Sequence, residues 1–348
     1  MTMKEIIPVI MDTSFNRLAM LDDYISIIWT SRYYTSGDFE LVLDATKENL
    51  QIIAKDYFVI REDDDNVGIV EDIKITRDSF GQERMIVTGR FLQSILARRI
   101  IGAQTTVTGK LSACIETLID ENIINPVVAS RQIANFTVQA YTVNTNMKAQ
   151  YTGKNLLEVV SDICKTYGVG FKVTLNDDHE FVFQLYEGVD RTYDQSTNTW
   201  VIFSDTYDNL MSSEYEECYK NMTTAVLVAG EGEGLERKTE WVSDGTTGLA
   251  RREVFKDQRN IRSESGMTEE EYMELLQQSG LESLTKYTTA FTGTVYFDNI
   301  TYKQDVNLGD LCVIENSRWG LSINSRLVEV IESVSESGQY TILPTFGT

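Results

Sequence analysis

Residues 21–43 of the chain read LDDYISIIWTSRYYTSGDFELVL. Positions 24–30 are a run rich in β-branched and aromatic residues, and Phe39, Leu41 and Leu43 occupy alternate positions further along. A hydrophobic period of two is typical of strands that bury one face. The stretch therefore predicts two short strands near the start of the chain.

More strand patterns follow in the same region. Val67, Ile69 and Ile73 share one parity, and polar residues occupy the other parity in the second half of that run. Residues 78–82, DSFGQ, supply turn-forming side chains before the next apolar run and predict a hairpin. Four or five short strands joined by turns predict a small antiparallel barrel or sandwich over residues 1–105.

After these strands the pattern changes to that of helices. Apolar residues recur at helical spacing in residues 111–119 and again in 156–167, and each set forms one apolar stripe. Gly168 follows the second stripe and is suited to end that helix in a left-handed conformation. Two alternating runs around an Asn-Asp-Asp-His turn predict a hairpin at 171–185. Residues 106–205 are therefore expected to form an α+β unit.

Strand-like composition returns in residues 206–348. One helix is predicted within it, near 268–288, because Thr268 and Glu271 have the spacing of a capping box, and its apolar positions extend to Leu284. The strand-like runs, rich in Val, Ile, Tyr, Phe and Thr, are 224–229, 239–242, 288–297, 310–315, 321–334 and 340–345.

The charge of the chain argues against several classes of function. Its 348 residues include 31 Lys and Arg against 53 Asp and Glu, a net charge of 31 − 53 = −22. Without a basic tract, neither nucleic-acid binding nor binding to an anionic membrane is expected. No apolar run approaches the roughly 20 residues that cross a bilayer.

The cysteines and the histidine suggest no reactive site. Cys114, Cys164, Cys218 and Cys312 are too far apart for a Cys-x-x-Cys site, and three of them have apolar neighbours, so we expect buried reduced thiols. His179 is the only histidine, which argues against the usual zinc sites and against Ser-His-Asp or Cys-His catalysis. We therefore predict no catalytic residue, no cofactor and no metal ligand.

Three conspicuous motifs are interpreted as structural. Residues 230–234, GEGEG, lack the Lys and the third Gly of phosphate-binding loops and are expected to form a flexible loop. Residues 63–68, DDDNVG, begin like an EF-hand loop, but Lys74 stands where a Glu is required, so we expect a solvated turn. Residues 194–198 are expected to be an exposed hairpin. Adjacent acid pairs arise by chance among 53 acids and do not nominate a site.

Four segments together resemble the Gp37-like family of siphophage and prophage tail proteins, and their order and spacing hold across nearly the whole chain. The resemblance implies a structural hub of a tail tip or baseplate, similar to the N-terminal hub portion of tail-associated lysins. The segments are residues 21–41, residues 87–100 (VTGRFLQSILARRI), residues 229–238 (AGEGEGLERK) with 251–255 (RREVF), and residues 343–347 (LPTFG).

The resemblance also implies an architecture. Such hubs are homotrimers whose protomers each carry two related β-barrel-like tube domains, so that three protomers close a pseudo-sixfold ring. For this chain we expect an α+β, mainly β fold of phage tail hub architecture. It would comprise a first β-barrel tube domain at 1–105, an α+β domain at 106–205, and a second β-barrel tube domain at 206–348 with one inserted helix.

The implied partners are the distal tail protein, the tail tube, the tape-measure protein and a tip fibre or lysin subunit. DNA would pass through the channel without specific binding. The protein is expected in the virion tail, after synthesis and assembly in the bacterial host cytoplasm. Because the sequence ends just after the hub signature, lytic or receptor-binding work is expected to fall to another polypeptide.

Two other functions stay open. A cell-wall glycosidase would use paired carboxylates in the central unit, set in a cleft and with the pKa of one raised. A carbohydrate-binding β-domain would need a cluster of exposed Trp and Tyr, whereas Trp29, Trp200, Trp241 and Trp319 are scattered along the sequence.

The excess of acid has two interpretations. An acidic channel wall would repel DNA phosphates and keep passage free of binding sites. Alternatively, the acids only keep a large assembly soluble before it docks.

Overall fold

The computed structural model describes residues 6–285, 288–295 and 300–347, and in these residues the protein is mainly β with four α-helices. The N-terminal part is formed by β1 (Pro8–Met11), β2 (Arg17–Met20), β3 (Ser26–Arg32), β4 (Asp38–Asp44), α1 (Lys47–Ile52), β5 (Phe58–Arg61), β6 (Val67–Arg77) and β7 (Glu83–Phe91). The central part is formed by β8 (Thr105–Lys110), α2 (Leu111–Ile119), β9 (Phe136–Val138), β10 (Asn146–Tyr151), α3 (Leu156–Tyr167), β11 (Gly170–Leu175) and β12 (Phe181–Tyr186).

The C-terminal part contains nine strands and one helix among the described residues. They are β13 (Ile202–Ser204), β14 (Leu210–Cys218), β15 (Ala225–Ala229), β16 (Thr239–Ser243), β17 (Glu253–Asp257), α4 (Glu269–Leu281), β18 (Thr288–Val295), β19 (Leu311–Asn316), β20 (Leu321–Val334) and β21 (Tyr340–Gly347). The predicted strand 288–297 corresponds to β18, and residues 296 and 297 lie outside the described residues.

The helices predicted at 111–119 and 156–167 are confirmed as α2 and α3. The side chain of Asn155 accepts hydrogen bonds from the first turn of α3, and the helix ends at Gly168 with a φ of +71°. The predicted capping box between Thr268 and Glu271 begins α4, but this helix ends before Leu284. None of the described helices is long and apolar enough to cross a bilayer.

Thirteen strands from both ends of the chain form one continuous sheet. Its order is β14-β18-β21-β20-β3-β4-β7-β6-β5-β1-β2, with β19 paired to β20 and β13. The N-terminal and C-terminal strands meet where β3 pairs antiparallel with β20, with Trp29 opposite Glu332. Over the described residues this order has two ends, and no closed barrel is found.

Hydrophobic cores lie against the two halves of this sheet. Trp29, Phe39 and Leu41 belong to the N-terminal core, and Leu327 and Phe346 to the C-terminal core. Complete burial of one such side chain contributes about 1.5–3 kcal/mol. Their alternate spacing along each strand leaves the intervening side chains on the opposite face of the sheet.

The central part packs against the N-terminal strands. β9, β11 and β12 form one small sheet, and β8 and β10 form another. Phe58 joins the core of the central part, together with Phe171 and Phe183, whereas its neighbour Val59 joins the N-terminal core. Since successive residues of a strand point to opposite faces, β5 is covered on both sides.

The inserted module, residues 223–285, has its own sheet and core. β15 pairs antiparallel with β16 and parallel with β17, and Val226, Val228 and Val242 pack against Leu276 of α4. The sequence predicted one inserted helix in this region. It also predicted strands at 224–229 and 239–242, which correspond to β15 and β16. The structure adds β17 and pairs the three strands in a sheet of their own.

Candidate functional site

The cysteines and the histidine occupy structural positions. His179 lies in the turn between β11 and β12 and stacks on Phe15, with ring centroids 4.7 Å apart. Cys114, Cys164 and Cys312 are buried, as predicted, and burial raises the pKa of all three thiols. Within the described part of the chain, no group of three or more His, Cys, Asp or Glu is arranged to hold a metal ion.

The GEGEG segment is a loop after β15, as predicted, and packs within the inserted module. The Tyr272 hydroxyl accepts a hydrogen bond from the N–H of Glu231 at 2.8 Å and donates one to the carbonyl oxygen of Ile261 at 3.0 Å. Arg237 donates to the carbonyl oxygens of Gly230 and Ala229. These contacts give the loop a structural role.

The prediction of a solvated turn at residues 63–68 is wrong for Asp64. The side chain of Asp64 is 2% exposed, and its carboxylate binds the ammonium group of Lys303 at 2.7 Å. Asp63, at the same turn, binds the guanidinium of Arg61 at 2.8 Å. A cation more than 230 positions away in the sequence neutralises Asp64, so the local motif does not reveal its burial.

Arg61 and Glu332 form a buried ion pair between β5 and β20. Their side chains are 0% and 1% exposed, and Nη2 of Arg61 lies 3.2 Å from Oε1 of Glu332. Tyr340 donates a hydrogen bond to the same carboxylate at 2.8 Å, and the guanidinium lies 5.4 Å from the centroid of the Trp29 ring. We call the group Arg61, Asp63, Asp64, Lys303 and Glu332 the charged joint, because it links the N-terminal and C-terminal parts.

The protonation states at the charged joint follow from burial and from the neighbouring charges. Burial lowers the pKa of Arg61, but the hydrogen bond with Asp63 and the charges of Glu332 and Asp64 outweigh it, so that this pKa lies above its usual value. Burial and the charge of Glu332 raise the pKa of Tyr340. Arg61 therefore stays charged, and Tyr340 stays a neutral donor.

A second contact between the parts of the chain is made by hydrogen bonds between uncharged groups, beside the Arg326 guanidinium, which lies 5.5 Å from the centroid of the Tyr33 ring. The Tyr33 hydroxyl lies 3.2 Å and 3.3 Å from the carbonyl oxygens of Gly168 and Tyr186 and accepts a hydrogen bond from the N–H of Gly188. A Cβ on Gly309 would lie 2.2 Å from the Tyr33 ring. We call Tyr33 and these backbone groups the neutral joint, because it connects β3, the central part and the C-terminal part.

A cleft of about 340 Å³ lies between β3, α3 and β20. Burial raises the pKa of Asp162, against the lowering effect of Lys154 and Lys256. The carboxylate of Glu329 is bound to the guanidinium of Arg32 at 2.7 Å. The cleft thus holds one carboxylate with a raised pKa and a second one that is neutralised by an arginine. Its lining residues are Arg32, Tyr34, Thr35, Ser161, Asp162, Lys165, Val328, Glu329 and Thr345.

One face of the main sheet is mostly polar across both halves, and α3 lies beside it at Arg32 and Glu329. We define the open face as the side opposite the two cores on the eight strands β14-β18-β21-β20-β3-β4-β7-β6. Directly opposite residues of neighbouring strands share a face, and register places Ser333, Ile28, Glu40, Thr88 and Asp72 in one row.

The open face carries a small excess of acid. Register assigns it seven acids and five bases, a net charge of 5 − 7 = −2, so −20 of the total −22 lies elsewhere. The acids are Asp38, Glu40, Asp44, Asp72, Glu214, Glu216 and Glu329, and the bases are Arg32, Lys74, Arg84, Arg90 and Arg326.

Both ends of this eight-strand run present unpaired backbone. In the described residues β14 pairs only with β18, and residues 72–77 of β6 pair only with β7, since β5 reaches no further than Ile69. Unpaired strand edges readily accept a further strand. The arrangement is therefore suited to assembly through its strand edges.

Comparison with known proteins gives a consistent result. The family model described as Siphovirus ReqiPepy6 Gp37-like protein matches residues 7–348. The fold is similar to that of the tail protein from Neisseria meningitidis MC58, with 13% identity, coverage of 99% of this chain and 97% of that chain, and a TM-score of 0.59. No curated protein matches the sequence.

Two prophage structures have the same fold. Prophage tail protein gp18 from Listeria monocytogenes EGD-e is 13% identical, with coverage of 98% of this chain and 94% of that chain and a TM-score of 0.56. The 43 kDa tail protein of prophage MuSo2 from Shewanella oneidensis is 15% identical, with coverage of 98% and 97% and a TM-score of 0.53.

Proposed function

Since the chain belongs to the Siphovirus ReqiPepy6 Gp37-like protein family and has the fold of phage tail proteins, we propose that it is the structural hub of a tail tip or baseplate. In this role it joins the tail tube and the distal tail ring to the tip and forms part of the DNA channel. The protein works as a homotrimer and catalyses no reaction of its own.

The observation that carries this proposal is the eight-strand run with two free edges. Its C-terminal half supplies β14, β18, β21 and β20, and its N-terminal half supplies β3, β4, β7 and β6. Three copies joined from β14 of one protomer to β6 of the next would align 3 × 8 = 24 strands in six groups of four. This count supports a pseudo-sixfold ring, and closing the ring would remove the free edges.

We propose that the chain is divided into two tube domains and a central domain. Residues 1–105 and 206–348 supply the tube strands, and residues 106–205 pack against them. The fusion of both halves through β3 and β20 supports a protomer in which the two tube domains form one rigid wall. In this proposal the two barrel-like domains are completed only by neighbouring protomers.

The partners follow from this position in the tail. The distal tail protein and the tail tube would contact one rim of the ring, and a tip fibre or lysin subunit the other. The tape-measure protein and DNA would pass through the channel without specific binding. Assembly would take place in the cytoplasm of the bacterial host, before the virion is released.

Cysteine crosslinking tests the ring. In a Cys218→Ser background, cysteines at Glu214 of β14 and Thr76 of β6 should crosslink between protomers in assembled tails, and denaturing gels should show a ladder that ends at three copies. A control pair at Glu214 and Asp23, which lies in the loop before β3, should give no ladder. A particle reconstruction with two or six copies around the axis would contradict the proposal.

A second candidate function, cell-wall hydrolysis, is favoured by one observation, the raised pKa of Asp162 in the cleft. The ion pair between Arg32 and Glu329 weighs against it, because a nucleophile or base needs a carboxylate that is free to react. Incubation with peptidoglycan from several bacteria decides between the two. Release of muropeptides by the protein, and its loss in Asp162→Asn, would establish hydrolysis, and the hub proposal expects no release.

A further inference from the structure

Exposed aromatic side chains cluster beside the C-terminal strands. Tyr193 and Trp200 lie in the loop between β12 and β13 and are 44% and 51% exposed. Their ring centroids are 5.3 Å apart, and the ring planes meet at 81°. The two rings therefore form an open corner. The predicted hairpin at 194–198 is instead part of this loop, which forms no strand of its own there.

Hydrogen bonds hold both rings of the corner in place. Nε1 of Trp200 donates to the carbonyl oxygen of Gln195 at 3.0 Å, and the Tyr193 hydroxyl donates to Oε1 of Glu315 at 3.1 Å. A binding surface whose side chains are already oriented loses less conformational entropy when a ligand binds. The corner is therefore preorganised for stacking.

Two further exposed rings lie on neighbouring turns. Tyr207 is close enough to Tyr193 for their side chains to interact electrostatically. Trp319 is half-exposed in the turn between β19 and β20, and Ser317 of this turn makes two hydrogen bonds to Asp205 near Tyr207. The fold thus brings Trp200 against Tyr193, and it places the turn that carries Trp319 beside the segment that carries Tyr207.

The polar groups around the corner are acceptors and amides. Glu315 receives its hydrogen bonds from Tyr193 and Ser322 on Oε1, and among the described residues none reaches its Oε2. Asp194 accepts from the amide of Asn324. These carboxylates would repel an anionic ligand, and an aliphatic ligand would leave Oε2 without a partner when it excludes water.

We propose that the aromatic corner, defined as Tyr193, Trp200 and Glu315, binds an uncharged saccharide. A pyranose ring has an apolar C–H face, which stacks on the indole of Trp200, and Tyr193 closes one side. A sugar hydroxyl donates to Oε2 of Glu315. Aromatic rings of this kind combine a large contact area with few rotatable bonds. This assignment does not depend on the hub function.

Ligand-detected NMR on the full chain tests the assignment with two probes, tetramers of N-acetylglucosamine and of glucose. We expect saturation transfer from the protein to at least one tetramer. Trp200→Ala should weaken binding at least about tenfold, and Tyr193→Phe, which keeps the ring and loses the contact with Glu315, should weaken it less. Trp241→Ala is the matched control, because Trp241 is 49% exposed on the inserted module and should leave binding unchanged.

The outcomes separate a saccharide site from other uses of the same surface. Absence of transfer to both tetramers, or transfer that is equal in Trp200→Ala and the parent protein, overturns the assignment. Loss of assembly in Trp200→Ala without saccharide binding by the parent also overturns it and identifies the corner as a protein contact. Tyr193→Phe, which alters a single hydroxyl, serves as the folded test variant if Trp200→Ala is unstable.

Discussion

The charged joint links the N-terminal and C-terminal parts of the molecule, and the neutral joint connects both of them to the central part by different physical means. At the charged joint, Arg61 and Glu332 are fully buried and depend on each other and on Asp63 and Lys303 for neutralisation. At the neutral joint, the ring of Tyr33 fits against glycine backbone and its hydroxyl meets three backbone groups. The first joint fixes alignment through charge, and the second through shape.

The difference matters because substitutions at the two joints should reduce the stability of the protein by different amounts. A buried ion pair contributes little net stability compared with apolar side chains of the same volume, but removing one partner leaves an unpaired charge in a dry environment. Loss of a neutral hydrogen bond lowers the free energy of unfolding only by the desolvation cost of the groups that are left without a partner. Removing one side chain from the charged joint should therefore cost more stability than removing one hydroxyl from the neutral joint.

The largest effect is expected for Glu332→Ala. Arg61 has no exposed surface through which it could be hydrated, and without Glu332 it keeps only Asp63, at the rim of the site, as a carboxylate partner. Loss of the buried partner should lower the free energy of unfolding by about 3–5 kcal/mol. Urea denaturation followed by circular dichroism measures this change.

The double variant Arg61→Met, Glu332→Leu sharpens the first prediction. Because it removes both charges and keeps the apolar volume, it should recover most of the loss. If the double variant is as unstable as the sum of the two single variants, the buried pair is not the cause.

A smaller loss is expected for Tyr33→Phe. The ring and its packing against Gly309 remain, whereas the N–H of Gly188 loses its acceptor, so the free energy of unfolding should fall by about 1–2 kcal/mol. Tyr141→Phe is the control, since the hydroxyl of Tyr141 binds Glu187 at an exposed site. Equal losses in Tyr33→Phe and Glu332→Ala would remove the distinction between the joints.

The helices could be predicted from the sequence because their signals are local. The apolar stripes of α2 and α3, the cap at Asn155 and the capping box at Thr268 each lie within a few residues of the structure they determine. Strand positions were also readable, from their period of two. The pairing of β3 with β20 was not, because about 300 positions separate them and no local pattern records a partner.

The residues of the two joints could not be predicted from the sequence for the same reason. Asp64 and Glu332 look like two of 53 acids in the sequence, and only the fold brings Lys303 and Arg61 to them. The aromatic corner was missed for the same reason, since Trp200 is 115 positions from Glu315. The burial of a charged side chain depends on tertiary contacts, so composition alone predicts that such residues are exposed to solvent.

A weak increase in stability, rather than a loss, is expected for Asp162→Asn in the cleft between β3, α3 and β20. The pKa of Asp162 is raised by burial, so its ionised form destabilises the folded protein above that pKa, and the cost disappears below the unfolded value near about 4. The variant should be more stable at pH 7, by roughly a few tenths of a kcal/mol because the group is partly exposed. Denaturation at pH 7 and pH 3 measures this, and a less stable variant at pH 7 would contradict it.

The smallest effect on stability, and the most informative one for function, is expected for Glu40→Lys with Asp72→Lys on the open face. These side chains flank Thr88 in one row, away from both joints, so the free energy of unfolding should change by no more than about 0.5 kcal/mol.

The same pair of substitutions tests the charge of the channel wall. If the open face lines the channel, a ring of three copies changes there from 3 × −2 = −6 to 3 × +2 = +6, because each Lys adds two positive charges to a face of −2 per chain. Basic side chains bind phosphates with an affinity that falls as salt rises. DNA release from particles with this variant should therefore be slow at low salt and recover at high salt.

The control Glu233→Lys with Glu236→Lys makes the same charge change in the loop after β15 and should leave release unchanged. Release of the open-face variant at the parent rate in low salt would assign the excess acid to solubility alone.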